Sequence, residues 1–192
     1  MKTNTLSSLS RLLLAVCGVG LVVSIFVPIW SIYLEAPQYP EGLAMYLHAN
    51  NITGDYEKIN GLNHYIGMKL IHPEDFWEFS VLPYILAMYA VLCFASAYLN
   101  KKTLLYTLTL LFLIFGVAFM VDFWIWEYKY GHELDLTAAI KVPGMTYQPP
   151  LLGYKQLLNF GAYSYPNIGG SIMFGVGAVL ILLSIKEFRA KP

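Results

Sequence analysis

The sequence predicts an all-α membrane protein: four transmembrane helices, arranged as two hairpins, that carry two exported, partly structured loops. Three observations predict it. The 192 residues are 57% hydrophobic and 12% charged, with a mean hydropathy of +0.55, whereas soluble domains carry about 25% charged residues. Apolar runs at about 12–30, 79–99, 104–126 and 168–185 each approach the roughly 20 residues that a helix needs to cross a bilayer. Basic residues crowd into three short segments, and the intervening stretches at 31–78 and 127–167 are long and polar.

The first run follows a polar start with Lys2 and Arg11. A basic start before an apolar run also describes a signal peptide, and Leu14-Ala-Val-Cys17 approaches a lipoprotein cleavage box. Val16 is branched where that box needs a small residue, and the run continues well past Cys17, so it reads as an uncleaved first span. Pro37 and Pro40 break the first loop early. Leu43-Ala-Met45-Tyr-Leu47 alternates as a short strand does. Asn50-Asn51 and Gly54 supply turn chemistry, Asp55 suits the N-cap of a short helix over Tyr56–Leu62, and Pro73 opens the approach to the second span.

Spans two and three are joined by the basic turn Asn100-Lys101-Lys102, which makes them an antiparallel hairpin. The second loop holds His132, a Pro143-Gly144-Met145 turn, the stiff Gln148-Pro149-Pro150 and the aromatic run Asn159–Tyr165. The fourth span is glycine-rich (Gly169, Gly170, Gly175, Gly177), which lets membrane helices approach closely.

Lys2, Arg11, Lys101, Lys102, Lys186, Arg189 and Lys191 lie in the short segments; Lys58, Lys69, Lys129, Lys141 and Lys155 occupy the long ones. The positive-inside rule then makes both termini cytoplasmic and both loops exported, which in a bacterium means a multi-pass protein of the inner membrane. Trp30, Trp77, Trp124 and Trp126 all fall at exported span ends, as an interfacial belt would. A weak repeat aligns Ile29-Trp30 with Ile125-Trp126 and Leu62-Asn63 with Leu158-Asn159. It suggests two helical hairpins related by a pseudo-twofold axis, or a chance recurrence of interfacial aromatics.

The chemistry-bearing residues concentrate on the exported side. Asn60-Gly-Leu-Asn-His-Tyr-Ile-Gly-Met68 places an imidazole, a thioether, two carboxamides and a phenol in nine residues. All four histidines (His48, His64, His72 and His132) lie there, with Met45, Met68 and Met145. Imidazole with thioether suits copper, and thioether suits copper(I) in particular. His48, His64, His132, Met45, Met68 and Met145 are therefore the candidate copper ligands, with His64 and Met68 the best pair. The alternative reading has Asn60, Asn63, His64 and Gln148 pairing loop backbone. Tyr39, Asn60, Asn63, Tyr65, Trp126 and Tyr147 are the candidate interaction residues. Asp122 is the one acid expected inside a span.

Other classes lack their residues. The basic and acidic residues balance at twelve each, which argues against nucleic acid. Cys17 and Cys93 sit in apolar runs with no Cys-x-x-Cys pair, and read as small buried hydrophobes. No intramembrane histidine pair suits haem, and no phosphate-binding glycine loop occurs. Junction proteins of the claudin type share the four-span topology, but their first-loop cysteine pair is missing.

Three exported stretches carry a family resemblance: Ala36-Pro-Gln-Tyr-Pro-Glu-Gly-Leu43, Ile59–Met68, and Trp126–His132 continuing to Lys141–Pro150. Together they resemble a bacterial family of small four-helix membrane proteins encoded with clade II nitrous oxide reductase and copper chaperone genes. The resemblance covers about a third of the chain, and no catalytic residue comes with it. It implies the context of a periplasmic multicopper enzyme that needs copper and electrons.

The expected function is therefore a non-enzymatic accessory protein that assists assembly, copper supply or docking of a periplasmic respiratory copper enzyme. Its partners would be the bilayer and a periplasmic or membrane protein. The alternative is a structural subunit of a larger respiratory or export complex with the aromatic loops as its interface. A binder of lipid or of a hydrophobic substrate, using a cleft between the hairpins under the loops, is the third.

Overall fold

The computed structural model describes residues 4–140 and 144–190. Lys2, Lys141, Pro143 and Lys191, used above for orientation and turn chemistry, lie outside the described residues. Among the described residues, four helices are long and apolar enough to cross a membrane: α1 (Ser8–Phe26), α3 (Glu78–Leu99), α4 (Lys102–His132) and α5 (Ile168–Arg189). The chain is a multi-pass membrane protein. A shorter helix, α2 (Tyr56–Ile66), and a single 3-10 turn at Pro73–Asp75 complete the helical part.

The all-α expectation is overturned. Strands β1 (Trp30–Ala36), β2 (Tyr39–Leu47), β3 (Ile52–Gly54), β4 (Gly153–Leu157) and β5 (Phe160–Pro166) form one antiparallel sheet in the order β3-β2-β1-β5-β4. The class is mixed α/β. Each long polar stretch contributes strands, and the two are joined where β1 pairs with β5, from Trp30 opposite Pro166 to Glu35 opposite Gly161. The alternation read at 43–47 belongs to β2, which pairs with β1 and β3. The sheet exists because β1 leaves α1 and β5 enters α5 at the same height, so their backbones can meet.

That corner is closely stitched. Pro28 follows the C-cap of α1 and removes the donor that a further helical turn would need. The freed Ile29 carbonyl accepts from Asn167 N (2.9 Å) and Gly170 N (3.1 Å), and the Pro28 carbonyl accepts from Gly169 N (2.8 Å). A Cβ on Gly170 would overlap the Ile29 carbonyl oxygen. Gly169 and Gly170 thus admit a loop backbone to the head of α5, while Gly175 has open space around the position of a Cβ.

At the other end of the bundle the N-terminal segment, the α3–α4 turn and the foot of α5 meet. Leu6 N donates to Asn100 Oδ1 (2.8 Å), and Lys102 N to the Asn4 carbonyl (3.1 Å). The buried Glu187 accepts from Ser7 N (3.1 Å) and Ser10 Oγ (2.6 Å), with Lys102 Nζ at 3.4 Å. Both described ends of the chain therefore lie opposite the sheet. Between them α1 packs on α3 and α5, and the core is apolar: Leu14, Leu21, Leu86, Leu105 and Leu180 are essentially inaccessible. Cys17 and Cys93 are buried, unpaired thiols in this core.

Helix α4 decides how the two halves meet. Its 31 residues extend about 46 Å at 1.5 Å per residue, well beyond a hydrocarbon core of about 30 Å. The residues after Trp126 therefore stand clear of the membrane, where Tyr130 packs with Trp30, Ile32, Met45 and Ile59 in a second core under the sheet. The aligned tryptophans of the apparent repeat occupy different structures, Trp30 a strand and Trp126 a helix. Trp30 also leaves the interfacial belt: it is 2% exposed and its Nε1 donates to Ser164 Oγ at 2.7 Å. Trp77 and Trp124 remain outward-facing.

Candidate functional site

The second core encloses a cavity of about 70 Å³. Its roof is the inner face of the sheet, with Ile32, Leu34, Met45, Leu157 and Phe160. One wall is α2, amphipathic because Ile59, Leu62, Asn63 and Ile66 recur at helical spacing and are its buried residues. The floor is the projecting end of α4, which contributes Trp126, Glu127 and Tyr130. Met68, Ile71, Tyr147 and Pro149 close the sides.

Two local devices hold the sides in place. Gly67 ends α2 in the left-handed conformation (φ 79°), and its carbonyl accepts from Asp135 N at 2.7 Å, which ties the segment after α4 to the end of α2. Asn60 grips the backbone of Ile71 twice: Oδ1 accepts from Ile71 N (2.6 Å) and Nδ2 donates to the Ile71 carbonyl (2.9 Å). Asn63 Nδ2 donates to the Lys69 carbonyl at 3.4 Å. The carboxamides of the Asn60–Met68 stretch therefore pair loop backbone, as one of the two readings of that stretch expects.

The segment carrying Tyr147 lies directly on α4 at Gly131. Tyr147 N donates to the Gly131 carbonyl (2.9 Å). A Cβ on Gly131 would fall 2.6 Å from Gln148 Cβ and closer still to its N and Cα. Glu127 is one helical turn back on the same face, so this contact brings Tyr147 into the wall that Glu127 occupies.

Glu127 is the unusual member of the site. It is 0% exposed, and neither carboxylate oxygen has a hydrogen-bond partner among the described residues. The Tyr147 hydroxyl is likewise buried without a partner among the described residues, and Trp126 lies against Tyr130 with ring centroids 4.6 Å apart. A buried polar group without a hydrogen bond costs about 1–3 kcal/mol, and a charged one more. Burial among apolar side chains pushes the Glu127 carboxyl, beyond the membrane-crossing part of α4, up to about 8, with Lys155 drawing weakly the other way. Glu127 and Tyr147 thus place two polar groups in the lining of one apolar cavity, where such groups orient a small ligand.

The candidate copper ligands divide. Met45 and Met68 line this cavity together. The histidines stay apart: His64 is exposed on the outer side of α2 with its ring against Tyr65 (6.1 Å between centroids). His48 Nε2 is 3.0 Å from Thr53 Oγ1 at the sheet edge, and burial lowers its pKa. His132 Nδ1 donates to the Tyr128 carbonyl (2.9 Å) and stacks on the Tyr128 ring at 3.9 Å. Met145 is half-buried in the segment after α4. His64 and Met68 diverge because Met68 follows the left-handed Gly67 and turns inward, so the two do not share a helical face.

Of the candidate interaction residues, Tyr65 is exposed and Tyr39 half-buried, whereas Tyr147 is 1% exposed and belongs to the cavity. Asp122 faces a crevice between α3 and α4 that Glu78 and Lys129 also line. Glu127 falls at the first residue of the stretch that the sequence predicts as an exported loop, 127–167. The signal available was Phe123, Trp126, Glu127 and Tyr130, whose i, i+3, i+4, i+7 spacing continues the helix past the span.

The opposite face of the sheet is a field of tyrosines. Tyr33 sits across from Tyr163, and Tyr163 from Tyr154, while Tyr46 and Tyr165 flank Ser31. Facing pairs and alternate residues share a side of a sheet, so all five project outward. Tyr154 and Tyr163 rings lie 4.6 Å apart, Tyr33 and Tyr46 6.1 Å. No known family model matches the chain, and no curated protein matches it.

Proposed function

We propose that the protein is a non-enzymatic accessory protein of the bacterial inner membrane that docks a periplasmic respiratory copper enzyme, of which nitrous oxide reductase is the example its family resemblance suggests. The observation that carries this reading is the tyrosine face of the sheet. Tyr154, Tyr165 and Tyr33 are 50%, 43% and 39% exposed on a rigid five-stranded platform, and tyrosine is enriched at protein interfaces. Arg11, Lys101, Lys102, Lys186 and Arg189 cluster at the ends of the bundle opposite the sheet, which supports an exported sheet and cytoplasmic termini.

The test is gentle detergent extraction from native membranes and capture of the tagged protein. Wild type is expected to bring down a periplasmic copper enzyme or its assembly machinery. Tyr33→Ser, Tyr163→Ser and Tyr165→Ser together should release it, because these side chains face away from both cores. Equal capture by the triple variant, or none by wild type, ends the proposal.

A second reading, a structural subunit of a larger membrane complex, is favoured by a cleft of about 700 Å³ between α4 and α5, lined by residues such as Phe115, Gly116, Phe174 and Gly177. Capture of an integral membrane partner that survives the tyrosine substitutions would select it.

A further inference from the structure

We propose that the cavity beneath the sheet is a binding site for one soft monovalent metal ion, copper(I) in chemistry, held by the thioethers of Met45 and Met68 with the Glu127 carboxylate as third ligand and counter-charge. In naming copper as the natural ion the proposal rests on the copper-enzyme reading above; the ligand chemistry rests on the cavity alone.

Size narrows the occupant first. A cavity of about 70 Å³ exceeds the roughly 15 Å³ that one water needs and falls below the roughly 150 Å³ of a cavity that takes benzene. An ion with its ligands fits, and an acyl chain or a ring does not.

Charge narrows it next. Glu127 is wholly inaccessible, and both its oxygens lack partners among the described residues. A single positive charge beside one carboxylate leaves the site neutral, whereas a divalent ion would leave a net charge in apolar surroundings. Calcium and magnesium want six or more oxygen ligands, and zinc wants thiolate or imidazole. Neither cysteine nor histidine lines the cavity. What it does offer beside the carboxylate is two thioethers, the donor that selects copper(I).

The surroundings fit such a role. The Tyr147 hydroxyl, 1% exposed as a residue and unpartnered, lines the same space and is available to donate to the carboxylate oxygen not bound to metal. Met45 is 2% exposed, while Met68 is half-buried, so the ion would meet the sulfur of Met68 first on its way in. The mostly apolar lining limits solvent access, which slows oxidation of copper(I).

The test uses the full chain in detergent under anaerobic conditions, titrated with silver(I) as a redox-inert probe and with copper(I) against a chromophoric chelator. Wild type should take up one equivalent of either ion. Met45→Leu with Met68→Leu keeps side-chain volume and should weaken binding at least about tenfold, as should Glu127→Gln. X-ray absorption of the bound copper should show sulfur neighbours that the double variant lacks. Replacing His48, His64 and His132 by alanine should leave the affinity unchanged.

Absence of stoichiometric uptake by wild type overturns the proposal, as does equal binding by the methionine pair variant. Thermal unfolding of each variant identifies any that fail to fold, and the histidine variant and the absorption spectrum then decide. Wild type that captures its periplasmic partner yet takes up no ion sinks the metal site and leaves the docking reading standing; uptake without capture does the reverse.

Discussion

Gly131→Ala should damage the cavity from outside it. The added methyl would sit 2.6 Å from Gln148 Cβ and nearer to its backbone, where ordinary van der Waals contact begins at about 3.4 Å. The 147–149 segment must recede by about 1 Å. That displacement breaks the 2.9 Å bond from Tyr147 N to the Gly131 carbonyl, worth about 1 kcal/mol. It also begins to uncover a side chain that is now 1% exposed, whose full burial contributes about 1.5–3 kcal/mol. Against this, alanine gains about 1 kcal/mol of helix propensity over glycine. The propensity gain and the lost bond nearly cancel, so the net loss is up to about 1.5–3 kcal/mol, or up to about 3–12 °C in the unfolding midpoint for a chain of this size. The assay is intrinsic-fluorescence melting in detergent at a fixed scan rate. The comparison is Gly116→Ala in the same helix, where a methyl meets nothing within 4 Å. If the two variants melt within about 1 °C of each other, the Gly131 contact does not hold Tyr147 in place and the reasoning fails.

Two further perturbations test the site. The folded state favours the neutral acid at Glu127, raised from 4.5 to about 8, so the metal-free protein should lose stability as pH rises through that interval and level off above it. The full interval corresponds to about 3–5 kcal/mol. Glu127→Gln should abolish the slope, and parallel melting profiles of wild type and variant between about pH 5 and about pH 8 would contradict it. Asn60→Ala removes both bonds to Ile71 and leaves a backbone donor and acceptor unpaired, at a cost of about 2–3 kcal/mol. Hydrogen exchange should then accelerate at residues 69–72 ahead of the rest, and unchanged protection there would refute the role.

The four spans were legible because lipid leaves no choice: an apolar run of sufficient length satisfies its own backbone as a helix. So was the strand at 43–47, whose Leu43 and Met45 point into the core while Ala44 and Tyr46 point out. The remaining strands were not legible, and the reason is chemical. In β5 the inward residues are Ala162 and Ser164, both 0% exposed, and the outward ones are Tyr163 and Tyr165. Its apolar alternation is inverted, with the large rings facing out, and it reads as an aromatic loop. In β1, Trp30 and Ile32 look like the tail of a span until their partners across the sheet, 130 residues away, are known.

The site was half legible. Met45 and Met68 stand out by ligand type, whereas Glu127, which lines the same cavity, reads as part of a loop because nothing local marks where α4 stops. The four histidines drew attention by chemistry alone, and their scatter over separate surfaces of the fold is a tertiary fact that no short motif encodes.

The pairing of β1 with β5 has a bearing on biogenesis. Until β5 has reached its side of the membrane, β1 offers an open edge with unpaired N–H and C=O groups from Trp30 to Glu35. The cavity also lacks Tyr147, Leu157 and Phe160 until then. A partly inserted chain of three spans is therefore both sticky and empty, and the last hairpin converts it at once into a closed sheet with a finished chamber. The sheet and the chamber are thus completed together, by the same late segment of the chain.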